Sequence, residues 1–362
     1  MDYKEIIKEQ LAGTLSQEEI EEIYEKSSEL SQGLSSSFSI DEILESTLNG
    51  ESIFAGTDLI DSIKSLLLYE VKAALVLTVE IITVCIVIGL LNNMASSFKK
   101  KEIAEISTLV CVMVIVGISM NSFRTSYELC MGSVSTMVYT MEVLTPILLA
   151  VLVSTGAIAS GTILSPLILG AVTGFGALLK TVILPALFIS TVLSLLNCLT
   201  EKNYVNKLSK LIRNAALIAC GLIVAGLSGI MAVQGLITQT SDGLLINTAR
   251  YSISTFIPIV GGFASDTVEL FMSCMSSIKG VVGIFGIITL IILIIVPILK
   301  ILVISLIYKI TAAVVEPISE THISEGLNEM GSQLISMGAL IFFCSLLFIV
   351  FLSIIMAIGV GG

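Results

Sequence analysis

The sequence predicts an all-α, polytopic membrane protein with about seven full spans, short broken or re-entrant helices, and a small helical segment at its N-terminus. Three observations predict it. First, 55% of the 362 residues are apolar and only 13% are charged, where a soluble domain carries about a quarter charged residues. Second, apolar stretches of about 20 residues, the length that crosses a hydrocarbon core, recur from Val71 onward. Third, the charge is segregated: residues 1–70 carry a net charge of −12 and residues 71–362 a net of +1. The low overall pI therefore belongs to the N-terminal segment. No basic face suited to a run of phosphates is present, which argues against a nucleic-acid partner.

Residues 1–70 form the first unit, an acidic helical segment. Ser16-Gln17-Glu18-Glu19 and Ser39-Ile40-Asp41-Glu42 fit helix starts, and Asn49-Gly50 a stop. Ile20, Ile23, Tyr24 and Leu30 give one thin apolar stripe, enough for docking and too little for a core. A solvated acidic tail fits this pattern equally well. No apolar leader follows Met1.

The second unit, 71–362, is the multi-pass domain. Spans are predicted at 71–91, 104–123, 143–163, 181–199, 214–234, 281–308 and 334–358. The glycine-rich 165–180 piece is short and suggests a half-helix or re-entrant element. Residues 125–142 and 251–279 mix Ser, Met and charge with apolar residues, which suggests interfacial or cavity-lining segments. Lys99 to Lys101, the group Lys202, Lys207, Lys210 and Arg213, and Lys309 are expected in cytoplasmic loops. The first span then runs inward, and the acidic segment and the C-terminus are extracytoplasmic. A weak echo between 127–137 and 268–278, with Glu128 matching Glu269, leaves an internal duplication open.

Within this apolar chain, "FIPIVGGFASDTVE" (256–269) demands an account. Pro258 cannot donate a backbone hydrogen bond, and Gly261 and Gly262 readily end a helix. Interrupted backbone is tolerated at membrane depth only inside protein or beside water. Asp266 can cap the next helix, whose first turns carry Glu269. The stretch is therefore expected to join two partial helices at a cavity or pore mouth, with an ordinary capped surface loop as the plain alternative. Glu80, Lys180 and Lys300 lie within apolar runs, where an ionised group is costly unless paired or wetted. Glu80 paired with Lys180 or Lys300 would neutralise both, although Lys300 can also snorkel to the interface.

Gly156, Gly161, Gly170 and Gly174 crowd one stretch, the last two as GxxxG, and allow close helix approach within or between subunits. Pro166, Pro185 and Pro297 are expected to kink their helices and free carbonyls. Seven scattered cysteines and a single His322 give no metal or disulfide pattern; His322 is expected as a solvated side chain in a cytoplasmic loop where Ser324 and Glu325 suggest an amphipathic surface helix. No nucleophile motif or phosphate-binding loop is present, so neither enzymatic activity nor a cofactor is expected.

Several pieces resemble one known family in the same order. They are "STGAIASGTILSPLI" (154–168), "KTVILPALFISTVLS" (180–194), "KLSKLIRN" (207–214) and "AVQGLITQTSDGLLINTARY" (232–251). "FIPIVGG" (256–262), "SSIKGVVGIFGI" (276–287) and "PILKILVISLIYKITAAVVEP" (297–317) continue the series. The sequence resembles the stage III sporulation protein AE family of endospore-forming bacteria. The resemblance implies a multi-pass protein of the mother-cell membrane around the forespore. Its implied partners are the other stage III operon proteins and the forespore stage II protein Q, besides the lipid bilayer and a possible homo-oligomer. The implied role is a channel- or permease-like subunit of the mother cell-to-forespore transport complex. A structural platform that anchors the other stage III proteins is the alternative.

Overall fold

The computed structural model describes residues 64, 68, 71–72, 75–90, 101–197, 205–256, 261–317 and 321–358, with backbone alone for 101–105, 238–256 and 261–274. The acidic segment 1–70 lies outside them apart from Lys64 and Leu68. Every regular element among the described residues is helical. In order they are α1 (Leu75–Leu90), α2 (Lys101–Ser154) and α3 (Ile158–Leu178), then a π-helical segment (Leu179–Ile183) leading into α4 (Leu184–Leu196). Next come α5 (Asn206–Phe256), α6 (Gly261–Val315) and α7 (Thr321–Ala357).

Among the described residues five stretches are long and apolar enough to cross a membrane: Ile106–Ser154, Ile158–Leu196, Asn206–Ile237, Met275–Val315 and Thr321–Ala357. Leu75–Leu90 is a shorter apolar helix. The expectation of seven separate spans is thus replaced by fewer, longer helices. At about 1.5 Å per residue, a helix of 37 residues such as α7 extends about 55 Å. The hydrocarbon core is only about 30 Å thick, so these helices continue past it.

The differences have local causes. The expected spans 104–123 and 143–163, with an interfacial 125–142 between them, are instead one unbroken α2. Val134, Met137, Val138, Met141 and Leu144 are all buried at three- and four-residue spacing, which holds that section helical although its outward side is polar. The turn falls later, at Thr155 and Gly156, where Gly156 has φ 88° and ends α2 in the left-handed region. Thr155 Oγ1 donates to the Leu152 carbonyl at 2.7 Å and Gly156 N–H to Val153 O at 3.0 Å.

The 165–180 piece is no half-helix, because 158–196 makes one continuous return. Pro185 lacks an N–H and its ring crowds the carbonyl four residues back. The chain absorbs this by widening to the π segment just before it, with Leu184 N–H donating to Leu179 O. Pro146, Pro166 and Pro297 likewise lie inside continuing helices. Lys207, Lys210 and Arg213, expected in a loop, occupy the first turns of α5. "THISEGLNEMGSQL" is the first part of α7, with Ile323, Leu327, Met330 and Gln333 buried. At the opening of the 256–269 stretch, α5 ends at Phe256 and α6 begins at Gly261. Pro258, at 257–260, lies outside the described residues.

Successive long helices run antiparallel, and α7 packs against α2, α4, α5 and α6. One apolar core runs through the bundle, from Ile81 of α1 to Ile358 after α7. The alternation brings the start of α2, the start of α5 and the end of α6 to one end, here the basic end, with Lys207, Lys210, Arg213 and Lys309. That common end agrees with the lysine and arginine distribution read from the sequence.

Close approach of α6 and α7 needs Gly331. A Cβ there would lie 2.9 Å from the Ser305 carbonyl oxygen and 2.8 Å from Lys309 Cγ. The Ser305 hydroxyl also donates to the Gly331 carbonyl at 2.7 Å. Gly226 of α5 has nothing within 4 Å of the same position. Gly331→Ala is expected to lose about 1–3 kcal/mol by overpacking, whereas Gly226→Ala gains helix propensity of about 1 kcal/mol. Thermal melts of the two variants in detergent check this; equal shifts would contradict the α6–α7 packing.

Candidate functional site: two polar locks and a charged outer face

Near the basic end three helices present polar side chains to one another. On α4, Ser190 and Ser194 are four residues apart and share a face. On α5, Ser209 and Arg213 repeat that spacing, as do Glu329 and Gln333 on α7. Gln333 is fully buried and donates from Nε2 to Ser190 Oγ at 2.8 Å and Ser209 Oγ at 3.3 Å. The Ser190 hydroxyl donates to the Ser209 carbonyl and the Ser209 hydroxyl to the Ser190 carbonyl, each at 2.8 Å. Ser194 Oγ lies 3.2 Å from Ser209 Oγ. One turn away, Arg213 forms an ion pair with Glu329, and Lys210 Nζ lies 3.8 Å from the other carboxylate oxygen.

The two layers differ in cost. Arg213 and Glu329 are 15% and 12% exposed, so removing either one leaves a nearly buried charge without its partner. Gln333 Oε1 accepts no bond among the described residues, and such an orphan acceptor costs about 1–3 kcal/mol. The lock therefore holds α4, α5 and α7 in register without being fully satisfied.

At the opposite end Lys279 of α6 is 1% exposed and donates from Nζ to the Ile358 carbonyl at the end of α7. The last carbonyls of a helix lack intrahelical donors and carry partial negative charge, so an ammonium there satisfies both needs. Residue 279 lies in a stretch that the sequence marks as interfacial, and nothing in its spacing sets it apart. Gln333 and Glu329 lie in the segment expected as an amphipathic surface helix; the helix is present, but it is packed into the bundle. Three- and four-residue spacing of Ile323, Leu327, Met330 and Leu334 is the signal that identifies that helix.

The residues singled out from sequence are not gathered at one place. Glu80 is exposed on α1, and among the described residues no ion pair joins it to Lys180 or Lys300. Lys180 is half-buried on the π segment, within electrostatic range of the buried Cys344 thiol. Lys300 is half-buried on α6. Asp266 and Glu269 lie in the first turns of α6, after its opening residues Gly261 and Gly262. Gly161 faces Val153 across the α2–α3 turn, and Gly170 and Gly174 have open space around them. Pro185 opens α4 and Pro297 is buried within α6. His322 is half-buried at the start of α7. Cys85, Cys130, Cys220 and Cys344 are buried and unbridged.

A further group was missed. The outward side of α2 carries Asn121, Arg124, Glu128 and Glu142, all exposed. Arg124 Nε donates to Glu128 Oε1 at 2.8 Å, and the two side chains remain 72% and 60% exposed.

Glu329→Gln is expected to destabilise the bundle by about 3–5 kcal/mol, as removal of one partner of a buried pair does. The exchange Arg213→Glu with Glu329→Arg restores part of that loss. Detergent melts and membrane levels of the single and double variants measure it. Full stability of Glu329→Gln would exclude a structural ion pair.

The family model described as Stage III sporulation protein AE matches residues 38–359. Stage III sporulation protein AE of Bacillus subtilis (strain 168) is 28% identical over 315 residues, which are 86% of this chain and 78% of that relative. No solved structure matches. With a match from 38 to 359, spanning every described helix, the chain belongs to the stage III sporulation protein AE family.

Proposed function

We propose that this protein is a channel- or permease-like membrane subunit of the transport complex linking mother cell and forespore. In this reading it sits in the mother-cell membrane with the other stage III proteins and faces the forespore stage II protein Q. Family membership supports the sporulation setting. The observation that carries the transport role is Glu142, an exposed carboxylate on the otherwise apolar α2, one turn from the Val138–Gly176 contact at the middle of the apolar stretch Ile158–Leu196. Acyl chains offer no solvation to such a group, so water or protein must cover it.

The continuous apolar core favours a second reading, the non-transporting platform. Between the basic-end lock and Lys279 the interior is filled by Leu144, Leu148, Leu293, Leu340, Phe348 and their neighbours. A solute path through the monomer would have to open that core. The transport reading therefore puts the path at the outer surface of the bundle, beside Glu142.

Purified protein in sealed liposomes tests the choice. The channel reading expects efflux of small encapsulated ions above that of protein-free vesicles, reduced at least several-fold by Glu142→Leu. Vesicles as tight as the protein-free control would support the platform.

A further inference from the structure

Helix α5 starts without a side-chain cap. Its first residue is Asn206, and the Val205 carbonyl before it accepts from Ser209 N–H at 2.9 Å. Valine has no side-chain oxygen to offer the N–H groups of Asn206, Lys207 and Leu208, which have no acceptor within the helix. A helix start also carries partial positive charge. Cations add to it: Lys207 and Lys210 are exposed and Arg213 is half-buried. Glu329 answers only part of that charge, with one carboxylate oxygen taken by Arg213 and the other 3.8 Å from Lys210. Lys207 has no ion pair among the described residues.

A second, independent feature points to a ligand at this place. Asn197, which ends α4, is only 7% exposed. Its Oδ1 accepts from Val205 N–H at 3.3 Å. That bond sets the carboxamide against the start of α5 and fixes which way round it lies. The other end of the same group, Nδ2, is buried and donates to nothing, a costly state for an amide. Asn206 Oδ1 also lacks a partner; turned over, that carboxamide presents its own Nδ2, because its two ends are sterically alike. Uncapped N–H groups, an orphan amide and unneutralised ammonium groups share one need, an anion with several acceptor oxygens. Phosphate meets it.

The outward side of α5 decides which phosphate. Lys207, Leu211, Asn214, Ile218, Leu222 and Ala225 follow at three- and four-residue steps, and all are exposed. At about 100° per residue they stay within about a quarter turn of one another. Asn214 lies about 6 Å below Lys210, the depth of the ester carbonyls of a lipid whose phosphate meets that lysine. From Asn214 to Ala225 the ridge runs about 16 Å further, close to half of the roughly 30 Å hydrocarbon core. Gly226, beside this ridge, has nothing within 4 Å of a Cβ position. A free phosphate has no use for the apolar wall; a phospholipid has.

We propose that the start of α5 binds the phosphate of an anionic phospholipid. Lys207, Lys210, the first-turn N–H groups and the Asn197 amide hold the phosphate, and Leu211, Ile218 and Leu222 lie along an acyl chain. A zwitterionic lipid brings its own ammonium group to the lysines and is disfavoured. The bound lipid supplies the negative charge that Glu329 does not, and ties the basic-end lock to the membrane surface. The inference is independent of the transport reading.

Purified full-length protein in detergent tests it, titrated with phosphatidylglycerol or phosphatidylcholine and followed by native mass spectrometry. Phosphatidylglycerol is expected to be retained in preference. Lys207→Gln is expected to weaken its retention about fivefold, the factor that one lysine contributes at an anionic surface. Asn197→Asp keeps an acceptor for Val205 N–H but loses the orphan donor, and is expected to weaken retention at least as much. Lys72→Gln, at an exposed lysine on another part of the chain, leaves it unchanged. Melts without lipid confirm that each variant is folded, and Lys207, exposed and unpaired, puts folding least at risk. Equal retention of the two lipids, unchanged retention in Lys207→Gln, or an equal loss in Lys72→Gln overturns the proposal. Complete displacement of the lipid by excess inorganic phosphate assigns the site to a free anion and overturns it as well.

Discussion

Hydrocarbon supplies no hydrogen bonds and no charge solvation, and every notable feature of this bundle answers that constraint. Backbone groups are satisfied within long helices that continue through Pro146, Pro166 and Pro297. Where Pro185 removes a donor, the backbone widens into a π segment in place of a break. Side-chain hydroxyls repeatedly donate to carbonyls a turn earlier, as Thr140 does to Thr136 at 2.9 Å and Ser133 to Leu129 at 2.8 Å. Larger polar side chains make two contacts, at either end of α7, Ser305 and Thr311 bond to neighbouring helices elsewhere, and Glu80, Arg124, Glu128 and Glu142 are exposed.

Helix α7 is the member on which this organisation depends. It touches α2, α4, α5 and α6, and its buried residues extend from Ile323 to Ile355. Polar contacts at both of its ends fix its height: Glu329 and Gln333 toward the basic end, and the Ile358 carbonyl under Lys279 at the other. Between them packing is apolar and close, with glycines such as Gly286 and Gly331 at the contact points. Such an interior offers no ready lane for a polar solute, which moves attention to the surface.

Fold class was legible in the sequence because apolar stretches of spanning length need no tertiary information. The grouping of the basic residues was legible for a similar reason: Lys207, Lys210, Arg213 and Lys309 do collect at one end of the bundle. Element boundaries were not. Residues 125–142 look interfacial or cavity-lining when averaged, because Glu128, Ser135 and Glu142 dilute the apolar signal, yet Val134, Met137, Met141 and Leu144 bury one side of an unbroken helix. Residues 321–333 are helical as their amphipathic pattern suggests, but Ile323, Leu327 and Met330 are buried within the bundle. The individual site residues were least legible. Glu80 stood out because it is alone in an apolar run, but it is exposed and has neither expected lysine beside it. Lys279 and Gln333 acquire meaning only from residues 79 and 143 positions away in the chain.

On the transport reading, water or protein covers the outer side of the bundle at the depth of Glu142 on α2 and Thr173 on α3, while lipid covers α5. The chain contains no tryptophan, so a single introduced indole reports on its own position. Thr173→Trp and Leu222→Trp, each in bilayers with brominated acyl chains, give the most direct measurement. Strong quenching at 222 and weak quenching at 173 is the predicted result. Equal strong quenching at both positions would place the α2/α3 face in contact with acyl chains and contradict the account.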